Sequence, residues 1–439
     1  MLVKEDISDF LSLPQGYEYI NTYIAPDGKQ RLLHFKSSGT AGKAKCPYCG
    51  GQAHVCGSYS TQLRDMPVYA NTRQDLRISY HRYRCTVCSR TFREEIPFKH
   101  PGTRITERAA AWISSLLRFS IPISSIQSIA GIHWDTIKGI HRNEMDRAIS
   151  DRMKKLREEG YKPRHLAVDE FAIHKRHRYA TCVMDLDRGD VLWAGKGRTK
   201  EDFGRFFQDM DMGYLSEVEA VAMDMNASYN MLVRQYLPAA RIVYDRYHMQ
   251  AQFGREVIGA VRLEEARRHK SRAMQLANSG AAKSEIRKEK ELYSEVKRAR
   301  WILLSGMSSI PEHKLSALNS ILDSHADLAI CHSMKEEMCR LFDLTDRTEA
   351  EKGWKAWFAA AMESAIPPLV RFAQLKEKRI DGLIAHASYP ISTGKIEGFN
   401  NRIKVAKRIG YGYRDEGYFF SLIRYISIPS LKPKSHKKT

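Results

Sequence analysis

The sequence contains no apolar run that approaches the ~20 residues needed to cross a lipid bilayer. Its first residues, MLVKEDISDFLSL, lack the basic and then apolar pattern of a secretion signal. Cysteine is scarce as well, with eight in 439 residues. These absences argue against a membrane protein and against a secreted domain held together by disulfides, and we expect a cytoplasmic protein.

Acidic residues are fewer than basic ones, with 51 Asp and Glu against 71 Lys and Arg, and the net charge is +20. This excess favours a polyanionic partner, because Lys and Arg side chains release counterions from phosphates. A basic enzyme without a nucleic-acid partner is the alternative interpretation. With 43% hydrophobic and 10% aromatic residues, the chain can form two or three folded domains.

Four of the eight cysteines form two Cys-x-x-Cys pairs. Cys46 and Cys49 lie in KCPYCGG, and Cys85 and Cys88 lie in YRCTVCSRTF. Each pair can occupy a tight turn that directs two thiolates at one ion, and two such turns complete a tetrahedral site. With short predicted strands between the pairs, we expect a zinc ribbon with structural Zn²⁺ within residues 1–100. Four unrelated buried cysteines are the alternative.

The next segment, residues 101–150, has a helical pattern. TERAAAWISSLLRF predicts one helix capped by Thr106, and ISSIQSIAGIHWDTIKGIHRNEMDRAI predicts a helix, a turn at residues 131–133 and a second helix. This order indicates either a helix-turn-helix DNA-binding domain or an ordinary helical hairpin. In the DNA-binding interpretation the second helix presents polar side chains outward, and its candidate DNA contacts are Lys138, His141 and Arg142.

From Leu166 onward the pattern changes to short apolar strands. HLAVD, YATCVMDLD, VLWAGK, VEAVAMD and ARIVYD are apolar runs bounded by turns or charges. The helical segment KEDFGRFFQDM precedes the fourth of these strands, and ASYNMLVRQYL follows it. This order predicts an α/β domain with a mixed sheet, which the polar segment LREEGYKPRH would link to the preceding helices.

Two of the predicted strands end in an aspartate. Asp169 ends HLAVD and Asp224 ends VEAVAMD, at the strand C-termini where α/β sheets bind ligands. Either aspartate alone can be a turn former or a helix cap. As a pair they need a third hard oxygen ligand to hold a divalent cation.

A candidate third ligand, Glu397, lies in ISTGKIEGFNNRIKVAKRIGYGYRD. This segment predicts a helix with one apolar face, and Glu397 begins the opposite face of amide and cationic groups. From residue 395 onward, eleven Lys and Arg stand against three Asp and Glu, which favours phosphate contacts over a merely solvated face. The candidate DNA contacts on this helix are Asn400, Asn401, Lys404, Lys407 and Arg408.

The motifs CPYC, RCTVC followed by SRTF, VDEFA and STGKIEGFNNRIKVAKRIGYGY together resemble the transposases of the ISL3 insertion-sequence family, which are bacterial DDE enzymes with a ribonuclease H-like core. The resemblance covers residues 46 to about 425, and EGFNNRIK with its YGY ending is the most specific part. DRYH is similar to an acidic-x-x-His motif of related transposases, which makes Asp245 and His248 expected active-site neighbours. The resemblance implies a catalytic triad that binds Mg²⁺ or Mn²⁺, formed by Asp169, Asp224 and Glu397.

The resemblance also implies a domain order. A zinc ribbon and a helix-turn-helix precede a ribonuclease H-like mixed-sheet core in a multidomain α/β protein, and residues 160–250 and 386–430 form the two parts of that core. Residues 251–385 are expected to form a helical insertion, which from the sequence can equally be a dimerisation element. Residues 431–439 form a basic tail.

The expected function is that of a transposase that binds the terminal inverted repeats of an insertion sequence. It cleaves DNA at the element ends and joins the 3′ ends to target DNA by two-metal-ion phosphoryl transfer. We expect a homodimer or higher homo-oligomer on double-stranded DNA in the bacterial nucleoid, because an element has two ends. The alternatives are a zinc-ribbon and helix-turn-helix regulator without catalysis, and a nuclease for RNA or repair.

Overall fold

The computed structural model describes residues 16–39, 44–67, 72–174 and 178–429. The basic tail predicted at residues 431–439 lies outside these ranges. The chain divides into two compact units, the first formed by Met1–Asp151 with Ile403–Tyr425 and the second by Arg152–Arg402 with Ile426–Thr439. The expected boundaries at residues 250 and 385 both fall within the second unit, and a separate helical insertion stays a prediction.

The first unit contains five strands: β1 (Tyr17–Ile24), β2 (Gln30–Ser37), β3 (Ala53–Arg64), β4 (Arg73–Cys85) and β5 (Thr91–Arg93). They form one sheet in the order β1-β2-β4-β3, with β5 paired to β4. Strands β2 and β4 are parallel, and the other neighbours are antiparallel. Strands β3 and β4 lie between the cysteine pairs as predicted, whereas β1 and β2 have no counterpart in the sequence prediction and widen the sheet.

Three helices follow this sheet: α1 (Glu107–Arg118), α2 (Ile123–Ala130) and α3 (Trp134–Glu158). Thr106 caps α1, because its side chain accepts a hydrogen bond from the backbone N–H of Ala109. Gly131 ends α2 in the left-handed conformation with φ of 60°, which glycine adopts without strain. The predicted helix, turn and helix are present. Helix α3 continues to Glu158, so the LRE part of the predicted linker is helical instead.

The second unit contains β6 (His165–His174), β7 (Arg178–Asp185), β8 (Val191–Lys196), β9 (Ala220–Met223) and β10 (Arg241–Tyr244), with α4 (Lys200–Asp209) and α5 (Ala227–Tyr236) on either side of β9 in the chain. The strand order is β10-β9-β6-β7-β8. Strands β6, β7 and β8 are antiparallel neighbours, and β6, β9 and β10 are parallel neighbours. The sheet is therefore mixed, as predicted.

Residues 246–388 are largely helical. Helix α6 (Arg246–Phe253) continues through a π-helical turn, Gly254–Ile258, into α7 (Gly259–Asn278). After α7 come α8 (Lys283–Arg298), α9 (Arg300–Leu304), a 3₁₀ turn at Met307–Ser309, α10 (Glu312–Ser324), α11 (Ala326–Leu341), α12 (Arg347–Glu363), α13 (Pro367–Glu377) and α14 (Ile380–Ser388). The chain then forms α15 (Gly394–Ile409) and α16 (Glu416–Ser427).

The helices and the mixed sheet of the second unit share one hydrophobic core. Val168 and Met223 of the sheet and Trp354 and Phe372 of the helices are all buried in it. Because burial of apolar area is the main favourable term in folding, the helices and the sheet stabilise each other as one body. Within the four described ranges, no helix combines the length and the hydropathy needed to cross a membrane.

Candidate active site and metal centres

Asp169 lies inside β6, because the strand continues to His174 through its antiparallel pairing with β7. The expectation that Asp169 ends its strand is therefore wrong. The parallel pairing of β6 with β9 does stop nearby, at Ala167 and Ala222, and Asp224 directly follows β9 as predicted. Both carboxylates thus lie at the level where the parallel pairing ends.

Two hydrogen bonds orient the Asp169 carboxylate. Its Oδ1 accepts from the backbone N–H of Glu170 at 2.7 Å, and its Oδ2 accepts from Nδ2 of Asn400 at 2.7 Å. Asn400 is only 8% exposed, so its side chain is buried and not on an open polar face as helical spacing predicted, and a contact of Asn400 with DNA stays a prediction. Because Asn400 lies three residues after Glu397, the same face of α15 supplies both side chains, and the Asn400 amide positions a carboxylate.

Thr393 connects two further acidic residues. Its backbone N–H donates to Oδ2 of Asp245 at 2.9 Å, and its hydroxyl donates to Oε1 of Glu397 at 2.9 Å. Thr393 is fully buried and Asp245 is 3% exposed. Asp245 also caps α6, because its Oδ1 accepts from the backbone N–H of His248 at 3.1 Å. These bonds fix the start of α15 against the start of α6.

Asp245, His248 and Glu397 form a cluster whose ligand atoms all lie within 4.8 Å of one another. Nε2 of His248 lies 3.6 Å from Oε1 of Glu397. Asp169 and Asp224 are not members of this cluster, although Asp169 interacts electrostatically with both Glu397 and His248. The structure therefore places the two expected neighbours, Asp245 and His248, next to Glu397.

The electrostatic environment of Asp169 favours a bound cation. Burial raises the pKa of Asp169 to about 6, and the negative charge of Glu397 acts in the same direction. The charge of His248 and the hydrogen bond from Asn400 oppose this shift. A divalent cation stabilises carboxylates that lie close together, and carboxylate oxygens are the donors that Mg²⁺ prefers. The residues present thus fit such an ion.

A cleft of about 370 Å³ adjoins this site. Besides Asp224 and His248, three basic side chains line it, which we call the cationic cleft residues: Arg255, Lys376 and Arg379. Arg255 lies in the π-helical turn, Lys376 in the last turn of α13 and Arg379 just before α14, far along the chain from Asp169. No local motif marks them.

Two of the cationic cleft residues are held by neighbouring groups. Nζ of Lys376 donates to Oε1 of Gln252 at 2.5 Å, and Arg379 donates to the backbone carbonyl of Met225. Lys376 is 6% exposed, and burial lowers its pKa. Arg255 is exposed. The cleft therefore presents ordered positive charge next to Asp224.

Helix α3 presents only part of its predicted polar face to solvent. Nζ of Lys138 and Nη2 of Arg142 each lie 2.8 Å from Oδ2 of Asp415. His141 is buried, with Nδ1 2.5 Å from the hydroxyl of Tyr418, and burial lowers its pKa to about 4. The expectation that His141 points outward is therefore wrong, because Tyr418 and Tyr425 of α16 cover that position, and a contact of His141 with DNA stays a prediction.

The last two turns of α15 keep their basic character at the surface. Asn401, Lys404 and Arg408 are exposed, and Lys407 is partly buried. The predicted apolar face is present on the same helix, since Ile396, Phe399 and Ile403 are buried. The helical spacing of the sequence therefore predicted which of these side chains are exposed and which are buried, except at Asn400 and, in part, at Lys407.

The four paired cysteines converge in the first unit. Sγ of Cys46 lies 3.6 Å from Sγ of Cys88, and Sγ of Cys49 lies 3.5 Å from Sγ of Cys85. All four sulfur atoms lie within 4.8 Å of one another. Sγ of Cys85 accepts from the backbone N–H groups of Val87 and Cys88, and these bonds lower its pKa to about 6. The cluster offers the thiolates that a structural Zn²⁺ uses.

The second unit thus has a carboxylate and histidine cluster beside a cationic cleft, and the first unit has a four-cysteine cluster. The sequence profile of the ISL3 family, described as Transposase, matches residues 166–423. The chain is 30% identical over 411 residues to the transposase for insertion sequence element IS1001 of Bordetella parapertussis, across 93% of this chain and 95% of that protein. The chain therefore belongs to the ISL3 family of insertion-sequence transposases, as its motifs predicted.

A relative of lower identity is also described as an insertion-sequence transposase. The transposase for insertion sequence element IS1557 of Mycobacterium tuberculosis is 25% identical over 260 residues, which is 57% of this chain and 57% of that protein.

Proposed function

We propose that the protein is an active transposase that binds the terminal inverted repeats of an insertion sequence, cleaves DNA at the element ends and joins the 3′ ends to target DNA. The proposal rests on the acidic and histidine side chains of the second unit, next to the cationic cleft residues. The relatives' description as transposases supports it. A mixed sheet with Asp169 on one strand and Asp224 after its parallel neighbour supports a ribonuclease H-like core.

Asp169, Asp224 and Glu397 are the proposed ligands of Mg²⁺ or Mn²⁺, with Asp245 and His248 beside them. When bound, such ions supply activation of the attacking oxygen and stabilisation of the departing one. The partly buried carboxylate of Asp169 and its repulsion by Glu397 are the observations that support a divalent cation here.

The protein's own groups keep these side chains in place. Asn400 orients Asp169, and Thr393 orients Glu397 while it binds Asp245. Because these groups are positioned before DNA binds, little reorganisation is needed during the reaction. Nε2 of His248 lies 3.6 Å from Oε1 of Glu397, and the charge of His248 stabilises the ionised carboxylate of Asp169.

The cationic cleft residues are proposed to bind the phosphates that flank the cleaved bond. Lys376 and Arg379 are already held by Gln252 and Met225, so little side-chain freedom would be lost when DNA binds. Such contacts position the backbone without reading its sequence.

Recognition of the terminal repeats is assigned to the first unit. The four cysteines are proposed to bind structural Zn²⁺ in a zinc ribbon, and helices α2 and α3 are proposed to act as a helix-turn-helix. Lys138 and Arg142 would contact DNA in exchange for Asp415, their present partner. Exposed Asn401, Lys404 and Arg408, together with Lys407, would contact phosphates. We expect a homo-oligomer on DNA.

A strand-transfer assay tests the proposal. Purified full-length protein is mixed with a labelled terminal-repeat duplex, a supercoiled plasmid and Mg²⁺, and covalent joining of the labelled 3′ end to plasmid is expected. Asp224→Asn and Glu397→Gln should bind the repeat but lose joining by more than ~10²-fold, because each removes a charge that holds the metal ions. Binding without joining by the unaltered protein would identify a DNA-binding regulator instead.

A further inference from the structure

A second group of metal-ligating side chains lies among the helices of the second unit. Glu265 and His269 are four residues apart on α7, so their side chains share one helix face. Glu289 comes from α8, and His325 immediately precedes α11. Glu265, Glu289 and His325 are buried, and the side chain of His269 is 16% exposed. The group therefore brings together three segments of the chain away from the carboxylates described above.

The ligand atoms of Glu265, His269 and His325 all lie within 4.8 Å of one another. Nε2 of His269 lies 2.9 Å from Nε2 of His325. The other ring nitrogens are also engaged: Nδ1 of His269 lies 2.6 Å from Oε2 of Glu289, and Nδ1 of His325 lies 2.8 Å from the carbonyl oxygen of Ile321. All four imidazole nitrogens thus have defined neighbours.

The other hydrogen bonds of the two imidazoles determine which of their ring nitrogens carry protons. A carbonyl oxygen only accepts, so Nδ1 of His325 must donate to Ile321, and Nε2 of a neutral His325 carries a lone pair. An ionised carboxylate also only accepts, so Nδ1 of His269 donates to Glu289 and Nε2 of a neutral His269 carries a lone pair too. Two lone pairs that face each other at this distance repel, unless a cation or an added proton lies between the rings.

We propose that Glu265, His269 and His325 bind a transition-metal dication of the Zn²⁺ type. Two imidazole nitrogens and one carboxylate oxygen form a ligand set that suits Zn²⁺ and not Mg²⁺. Glu289 and the Ile321 carbonyl hold the two rings through Nδ1, which is how protein groups behind a metal site orient its histidines.

The surrounding charges are compatible with this ion. Nη1 of Arg268 pairs with Oε1 of Glu265, which leaves Oε2 for the metal, and Nε of Arg272 lies 3.4 Å from Oε1 of Glu289, the oxygen that His269 does not use. The ion would connect α7 to the start of α11 across 55 intervening residues, with α8 attached through Glu289. It would therefore stabilise the helical part of the second unit against unfolding.

Zinc content of the full-length protein tests the proposal. His269→Gln and His325→Gln should each contain one Zn²⁺ fewer per chain than the unaltered protein, measured by mass spectrometry of the metal after removal of loosely bound ions. His313→Gln, which changes an exposed histidine of α10, is the matched control and should lose none. Cys85→Ser should remove only the zinc that the cysteine cluster holds. The zinc lost in this variant and the zinc lost in the histidine variants therefore count the two sites separately.

A second measurement covers the case in which the histidine variants fold poorly. Metal-free Cys85→Ser protein that also carries Glu397→Gln, which weakens the proposed active-site metal centre, is titrated with Co²⁺. The d–d absorption of a nitrogen and oxygen site should appear, with a weaker binding isotherm when Glu265→Gln is added. Added Zn²⁺ should raise the Tm of Cys85→Ser protein and of the same protein with His313→Gln. Equal zinc contents in all the histidine variants would overturn the proposal, and so would the absence of Co²⁺ absorption in Cys85→Ser protein that carries Glu397→Gln. Either result would mean that His269 is protonated and donates a hydrogen bond to His325.

Discussion

The Thr393 hydroxyl donates a hydrogen bond to Glu397 at 2.9 Å, and Thr393 has no exposed surface. The same residue binds Asp245 through its backbone N–H. One threonine side chain thus controls the orientation of the proposed third metal ligand, while its backbone holds the neighbouring acid in place.

Replacement of Thr393 by Val should remove the hydroxyl and keep both the side-chain shape and the backbone bond to Asp245. We expect strand transfer to fall by about 10–100-fold, as for other groups that orient metal ligands, with little change in repeat binding. Thr393→Ser keeps the hydroxyl and should retain most activity. Equal rates for the Val and Ser variants would show that the hydroxyl does not orient Glu397.

Asn400 and Asn401 are adjacent on α15 but have different environments, and their variants should differ accordingly. Asn400→Ala removes the donor to Asp169 and should weaken Mn²⁺ binding by about 10–100-fold. Asn401→Ala changes an exposed side chain and should leave Mn²⁺ affinity unaltered. Isothermal titration of both variants with Mn²⁺ compares them directly, and matching affinities would refute the positioning role.

Lys404 and Arg408 are exposed on α15 and are proposed to contact phosphates. The double change to Ala should weaken binding to all DNA sequences and reduce the slope of log K against log salt by about two. Lys288 and Arg298, exposed on α8, provide a control pair of equal charge. If both double variants have the slope of the unaltered protein, the α15 cations belong to a solvated face.

The buried His141 should make the first unit sensitive to acid. Burial lowers its pKa from 6.5 to about 4, so between these pH values the unfolded chain binds a proton that the folded chain does not. Stability therefore falls as the pH falls, by at most about 3 kcal/mol. Urea unfolding at pH 7 and pH 5 should show a smaller loss in His141→Gln than in His133→Gln, whose histidine is exposed. The same loss in both would contradict the assignment.

Cys85→Ser should release the Zn²⁺ proposed in the ribbon, because one of four thiolates is lost. Repeat binding should weaken, and the second unit should remain folded because its core contains no residue of the cysteine cluster. Cys56→Ser, which alters an exposed cysteine of β3, is the control and should retain zinc. Retention of zinc by both variants would exclude the four-cysteine site.

Much of the fold could be predicted from local sequence patterns. The bounds of β8, α4 and α5 agree with the predicted segments to within a residue, because alternation and helical periodicity are properties of neighbouring residues. The cysteine pairs were recognisable because their spacing itself makes the turn. Strands β1 and β2 were missed, since β2 pairs in parallel with the distant β4 and no short-range pattern records that partner.

The sequence by itself determined the apolar face of α15 and the family, and it predicted the acidic residues that are proposed to bind metal ions. Tertiary structure alone decided which polar positions are covered. Helical spacing placed His141 and Asn400 on outward faces, yet Tyr418 covers one and Asp169 binds the other. Arg255 and Arg379 likewise meet Asp224 only in the folded chain. The physical reason is that a side chain's exposure and charge environment depend on the elements packed against it, and packing joins residues that are remote in sequence.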